Sequence, residues 1–349
     1  MTRPSTPEDL ARGVLAGDRS ALARAITWVE NGRPGAADLL RRVYSRTGRA
    51  HVVGLTGAPG VGKSTLAAAL ARHLRASGQR VGLIAVDPSS PFTGGALLGD
   101  RIRFSHGPVD DGVFFRSLAS RGQVGGLSRA TGDVIHLLDA AGMDTVLVET
   151  VGAGQSEVEV MRCAHTVVVV LAPGLGDDVQ AAKAGILEVG DVLVVNKADQ
   201  PGASRTVQEL RQMLDLGAPR DPGWRPPVLE TVASDGTGID GLAAAIARHR
   251  QYLAESPAGA QRRLWQAEEA LRQQVVALVW ERLVRSPRWE AVAAAVARRE
   301  ISPAEAAVQL LAGLGDEPGP AAGDADPALA GQGAAEGRTR ATEGRAAGG

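Results

Sequence analysis

Gly57-Ala58-Pro59-Gly60-Val61-Gly62-Lys63-Ser64-Thr65 stands between a short apolar run (Val52, Val53, Leu55) and a helical pattern (Leu66, Ala67, Leu70, Ala71, Leu74). Strand, glycine loop and helix, in that order, are the context in which G-x-x-x-x-G-K-[ST] forms a phosphate loop. The glycines let the backbone curl so that successive N–H groups converge. The helix opening at Lys63 adds its unpaired N–H groups and the positive end of its dipole. In such a loop Lys63 reaches the β- and γ-phosphates, and the Ser64 hydroxyl ligates Mg²⁺. These residues point to a nucleoside triphosphate.

Outward from the loop, strands and helices alternate from His51 to about Tyr252. Strand candidates are 51–56, 81–86, 113–117, 145–150, 166–172, 191–196 and 228–232; helices between them include 63–76, 126–141, 178–189, 203–216 and 239–252. Nearly all-apolar strands in β-α alternation predict an α/β, P-loop NTPase fold whose mostly parallel central sheet is covered by helices on both faces. Ligands on such sheets bind beyond the carboxyl ends of the strands, and each motif below falls at one of those ends.

Asn196-Lys197-Ala198-Asp199 closes the apolar strand Val192–Val195. The Asp199 carboxylate can accept from guanine N1–H and the N2 amino group together, whereas adenine presents an acceptor there. The wrong base would leave a desolvated charge unpaired, so the pattern favours GTP over ATP. Asn196 would tie this loop to the phosphate loop, and Lys197 would lie along the base. Val232-Ala233-Ser234, after a further strand, is placed for backbone contact with the guanine carbonyl. Glu149 ends the strand predicted beside the P-loop strand, where Mg²⁺ is held, often through water. After it come Gly152, whose N–H can meet the γ-phosphate, and Gln155, which can orient the attacking water or equally cap a helix. Asp87 directly follows a strand and begins a Pro/Gly-rich loop that reaches Asp100; both are candidate metal-side acids, with capping as the plainer alternative. Pro173–Asp178 forms another acidic loop at a strand end, with Gln180 and Lys183 beyond it.

The flanks read differently. Residues 1–48 form short helices, 49–255 the nucleotide domain, and 256–313 a helical arm in which Leu264, Leu271 and Leu278 repeat at seven. That stripe predicts a covering surface, with a homodimer favoured over intrachain packing. Ser302-Pro303-Ala304-Glu305 can cap a last short helix. Residues 314–349, dominated by Gly, Ala and Pro, are expected to be a disordered tail.

Composition narrows the partners. A net charge of -1 over 349 residues gives no electrostatic footprint for nucleic acid, and 3% aromatic residues leave few stacking platforms. Cys163 is the one cysteine, which excludes an internal disulfide framework. Met1–Glu8 lacks signal-peptide order, and the run Thr166–Ala172 is too short to cross a bilayer. A cytoplasmic protein without membrane partners is expected.

Taken together, GAPGVGKST (57–65), AVDPSSPFTGGALLGDR (85–101), VETVGAGQSEVEV (148–160), GLGDDVQAAKAGILE (174–188) and NKAD (196–199) resemble the MeaB/ArgK family, the methylmalonyl-CoA mutase-associated GTPases. The resemblance spans about residues 5 to 312 and leaves out the tail. It implies a GTP-binding and GTP-hydrolysing chaperone of an adenosylcobalamin-dependent acyl-CoA mutase, gating cofactor loading and protecting the mutase, with a C-terminal dimerisation arm. By position, Lys63, Ser64, Asp87, Asp100 and Glu149 look like the family's phosphate and Mg²⁺ residues. Asn196, Lys197 and Asp199 look like its guanine residues, and the 174–183 loop like its additional switch. A metal-insertion GTPase shares this core and would need a metal cluster; the six histidines are scattered and only Cys163 and His165 come close in sequence. A kinase is the third possibility, against which NKAD argues.

Overall fold

Strands β1 (His51–Thr56), β4 (Thr145–Thr150), β5 (Thr166–Leu171) and β6 (Val192–Asn196) are buried along their whole length. Such strands need cover on both faces. In the computed structural model they join β2 (Val81–Asp87), β3 (Val113–Ala119) and β7 (Val228–Thr231) in one seven-stranded sheet of order β3-β2-β4-β1-β5-β6-β7. Every pairing is parallel. The structure describes residues 6–87, 112–119, 126–150, 162–174, 190–217, 221 and 223–313. The expected helix 178–189, most of the 174–183 loop and the tail lie outside them.

Alternation along the strands sorts side chains between two layers. Val53 and Leu55 of β1 and Leu147 of β4 pack with α4 (Lys63–Ala76) and α7 (Ile239–Glu255). Val52 of β1 and Val146 and Val148 of β4 face the other way, toward α5 (Gly126–Ala140). A further cluster joins β5 and β6 to α6 (Ala203–Leu216).

The N-terminal helices belong to the α5 layer. Thr6 caps α1 (Pro7–Leu15) by accepting from the Asp9 N–H, and Asp18 caps α2 (Arg19–Glu30). With α3 (Ala36–Tyr44) they bury Leu10, Val14, Leu22, Ile26, Leu39 and Val43 in one core with Leu137 and Leu138. The passage from these helices into β1 is held by one buried carboxylate. Asp139 of α5 accepts from the N–H groups of Gly48 (2.6 Å), Arg49 (3.3 Å) and Ala50 (3.0 Å). Asp139→Ala strands these donors, at least one of them buried, and is expected to cost about 3 kcal/mol. A urea midpoint indistinguishable from wild type would show that water replaces the carboxylate.

The chain divides into two compact units, 1–277 and 278–349. Helix α8 (Pro257–Arg285) runs through the division. In the second unit, Trp280 and Trp289 meet edge to face at 5.3 Å, and α10 (Pro303–Ala312) begins at Ser302, whose hydroxyl accepts from the Glu305 N–H as its sequence predicts. Helix α9 (Trp289–Ala297) was not anticipated. It has no side-chain N-cap, and its signal is the high helix propensity of the alanine-rich run 291–297. Elsewhere the boundaries move by a few residues: β3 runs on to Ala119 rather than ending at 117.

Candidate nucleotide site

The loop 57–62 leaves β1 at the centre of the sheet, where connections diverge to the two sides, the place where open parallel sheets offer a crevice. Two of its glycines are fixed by geometry. Gly57 has φ +140°, and a Cβ there would lie 2.0 Å from the Val170 carbonyl oxygen. Gly62 has φ +96° and caps α4 without a side-chain bond; its Cβ would lie 2.4 Å from Asn196 Nδ2. The first N–H groups of α4 are therefore not taken by a capping side chain, as an anion site at a helix N-terminus requires. Lys63, 7% exposed, donates from Nζ to the carbonyls of Gly57 and Ala58, at 2.5 and 3.0 Å. Its amine is thus held over the loop.

Strand register explains the acid. Leu55 is paired with Glu149, so the Glu149 side chain emerges on the α4 side of the sheet. Ser64 Oγ donates to Glu149 Oε1 at 2.7 Å, and Glu149 is 1% exposed. A hydroxyl and a carboxylate at this separation are the hard oxygen donors that Mg²⁺ prefers, and the longer reach of Glu brings it into direct contact with Ser64. Asp87 ends β2 opposite Ala119 of β3. Asp100, Gly152 and Gln155 lie outside the described residues.

On the other side of β1 the NKAD turn is braced against the phosphate loop. Asn196, 2% exposed, donates from Nδ2 to the Val61 carbonyl at 2.8 Å. Its Oδ1 accepts from Thr231 Oγ1 at 3.0 Å and from the Ala233 N–H at 3.1 Å. One amide therefore ties three loops together. Lys197 adopts φ +58° and donates from Nζ to the Gly60 carbonyl at 2.8 Å. The Ala198 N–H donates to the Thr231 carbonyl, which aims the turn, and Asp199 stands exposed at its rim. Val232 and Ser234 flank Ala233 in the following turn, where the Val232 N–H pairs with Thr237. Thr231 was missed by sequence reasoning. Its signal is register, since it is the β7 partner of Asn196.

This sheet order, glycine loop and braced N-K-x-D turn define a P-loop NTPase of the GTPase class. A family profile described as "Methylmalonyl Co-A mutase-associated GTPase MeaB" matches residues 22–288. A probable GTPase of Mycobacterium tuberculosis is 43% identical over 317 residues, covering 88% of this chain and 94% of that protein. The GTPase ArgK of Escherichia coli is 38% identical over 283 residues, covering 78% and 85%. A solved structure titled as an LAO/AO transport system kinase superposes with a TM-score of 0.67 at 29% identity, covering 90% of this chain and 99% of that one. The chain belongs to the MeaB family and is a GTPase that binds guanine nucleotide.

Among the described residues no helix is long and apolar enough to cross a membrane, and no group of three or more His, Cys, Asp and Glu side chains could hold a metal ion. His165, half of the one sequence-adjacent pair with Cys163, uses Nδ1 to accept the Val52 N–H.

Proposed function

We propose that this GTPase serves an adenosylcobalamin-dependent acyl-CoA mutase as its chaperone, gating cofactor loading and protecting the mutase, with GTP hydrolysis timing the contact. The observation that carries the reading is the Asn196 brace between the phosphate loop and the guanine turn, in a chain matched over 22–288 by a mutase-associated family. In this reading Lys63 neutralises charge on the transferring phosphoryl group, while the loop N–H groups of 57–65 orient the phosphates. Asp199 selects guanine, Lys197 packs along the base, and Val232–Ser234 line the base edge. Ser64 and Glu149 would hold Mg²⁺, with Asp87 and Asp100 as further acids, and the ion would balance charge on the β- and γ-phosphates. Gly152 is assigned to the γ-phosphate and Gln155 to the attacking water.

The arm supports self-association. Leu264, Leu271 and Leu278 are each more than 60% exposed and recur every seven residues along α8. A repeat of that kind is covered by a second helix in coiled-coil fashion, and a second copy of the chain is the partner we assign. Leu271→Glu combined with Leu278→Glu should convert a dimer into a monomer in light scattering, with GTP binding retained. A double variant that remains dimeric would remove α8 from the interface.

The partner assignment is tested by titrating the full chain, with a non-hydrolysable GTP analogue or with GDP, into such a mutase from the same source. Tighter association in one nucleotide state than in the other is expected. Absence of a complex in both states would contradict the chaperone reading and leave the GTPase itself untouched.

A further inference from the structure

The first half of α8 is turned the opposite way from an ordinary amphipathic helix. Arg262, Gln266 and Glu269 share its inward face. Arg262 bonds both Asp191 carboxylate oxygens at 2.9 Å and donates to the His165 carbonyl. Gln266 Nε2 donates to the Ala164 carbonyl at 2.9 Å, and Glu269 accepts from Arg162 at 2.7 Å. Leu264, Trp265 and Leu271 meanwhile are exposed. Few apolar groups hold this part of the helix down, so its attachment follows the charges beneath it.

Those charges sit at the amino end of the sheet, opposite the nucleotide site. Asp191, 5% exposed, also accepts from the Val167 N–H at 2.8 Å, and His249 Nε2 lies 3.5 Å from it. The Thr166 hydroxyl stands 2.8 Å from both His51 Nε2 and His249 Nδ1. Having one proton, it donates to one imidazole and accepts from the other. His165 is constrained differently, because its Nδ1 accepts the Val52 N–H at 3.0 Å. That ring is neutral with its proton on Nε2; protonating Nδ1 would set two donors head to head and add a cation beside Arg262.

The surroundings oppose such a cation. Arg250 from α7 and Arg262 and Arg263 from α8 disfavour it, and Asp139 from α5 is the carboxylate that favours it. The Tyr252 hydroxyl, also facing Arg262, is paired with Asp221. Burial, followed by Arg262, lowers His165 to about 4, and burial, followed by His165 and Arg250, lowers His51 to about 2.

We propose that His165 is an acid-operated release for α8: its protonation breaks the bond to β1 and repels Arg262, so that residues 257–273 leave the base of the sheet. The sign follows from linkage. An imidazole depressed in the docked state favours docking fully above its ordinary value near 6.5, and that contribution is lost as pH falls toward 4. Between pH 7.5 and 5.5 the docking equilibrium should weaken about tenfold for this one imidazole.

Hydrogen exchange of the full chain, normalised for intrinsic rates, tests this directly. Protection of amides in 260–273 should fall about tenfold from pH 7.5 to 5.5, while α4 stays protected. His165→Asn keeps an acceptor for the Val52 N–H but cannot charge, and should hold its protection at both pH values. Equal wild-type protection at the two pH values, or the same fall in His165→Asn, would overturn the proposal. Arg262→Met supplies a second arm, read against α4 protection in the same variant because Asp191 loses its guanidinium partner. It should lose α8 protection already at pH 7.5, and wild-type protection in that variant would overturn the proposal by itself.

Discussion

Lys63→Ala should lower GTP turnover by at least about 10²–10³-fold, the scale seen when one preorganised charge-stabilising group is removed. The amine is held over the loop by the Gly57 and Ala58 carbonyls, 7% exposed, with little freedom to be replaced by another cation. Of the three lysines in the chain, Lys197 is committed to the Gly60 carbonyl, so it is not a ready substitute. Lys63→Arg is expected to fail as well, because a planar guanidinium cannot take the place of a compact ammonium in so closed a loop. Steady-state phosphate release, with folding checked by the thermal midpoint, measures both. Turnover within a few-fold of wild type in Lys63→Ala would mean that phosphoryl transfer takes place elsewhere.

Asp199→Asn should weaken GTP by about 100-fold and favour xanthosine triphosphate. In the proposed reading the carboxylate would accept two guanine donors, and an amide would turn one of those bonds into a donor facing a donor; a charge-assisted bond is worth up to about 3 kcal/mol. Xanthine carries an oxygen where guanine carries its amino group, which restores the match. Asp199 is exposed at the rim of its turn, so the fold should be indifferent to the change. Competition titration of GTP against xanthosine triphosphate reads the exchange. Unchanged GTP affinity would reduce NKAD to a polar turn.

The legible parts of this molecule are those in which chemistry and local structure coincide. The phosphate loop could be read because its glycines, lysine and flanking periodicities lie within about twenty residues. The link from Asn196 to that loop could be read too, and it appears as the 2.8 Å bond to the Val61 carbonyl. The Ala233 N–H, in the turn expected beside the base, donates to Asn196, because β7 ends in register with β6 and delivers Thr231 and Ala233 to the same amide. The brace depends on strand pairing, which no short window of sequence displays.

The amino end of the sheet was illegible for the same reason. His51 begins β1, His165 directly precedes β5 and His249 lies on α7, and the β1–β5 pairing together with the packing of α7 brings them to one place. The arm shows a limit of another kind. Its leucine repeat is plain in the sequence, but periodicity does not say which side of a helix faces its own domain. Here the polar face, through Arg262, Gln266 and Glu269, is turned inward.

The most direct test of the account is turnover of GTP and of ATP by the full chain in Mg²⁺ buffer, alone and with an adenosylcobalamin-dependent acyl-CoA mutase from the same source. Slow hydrolysis of GTP, at least about 100-fold preferred over ATP and faster when the mutase is added, is the predicted result. ATP used as readily as GTP would contradict the site, and GTP turnover indifferent to every such mutase would contradict the proposed partner.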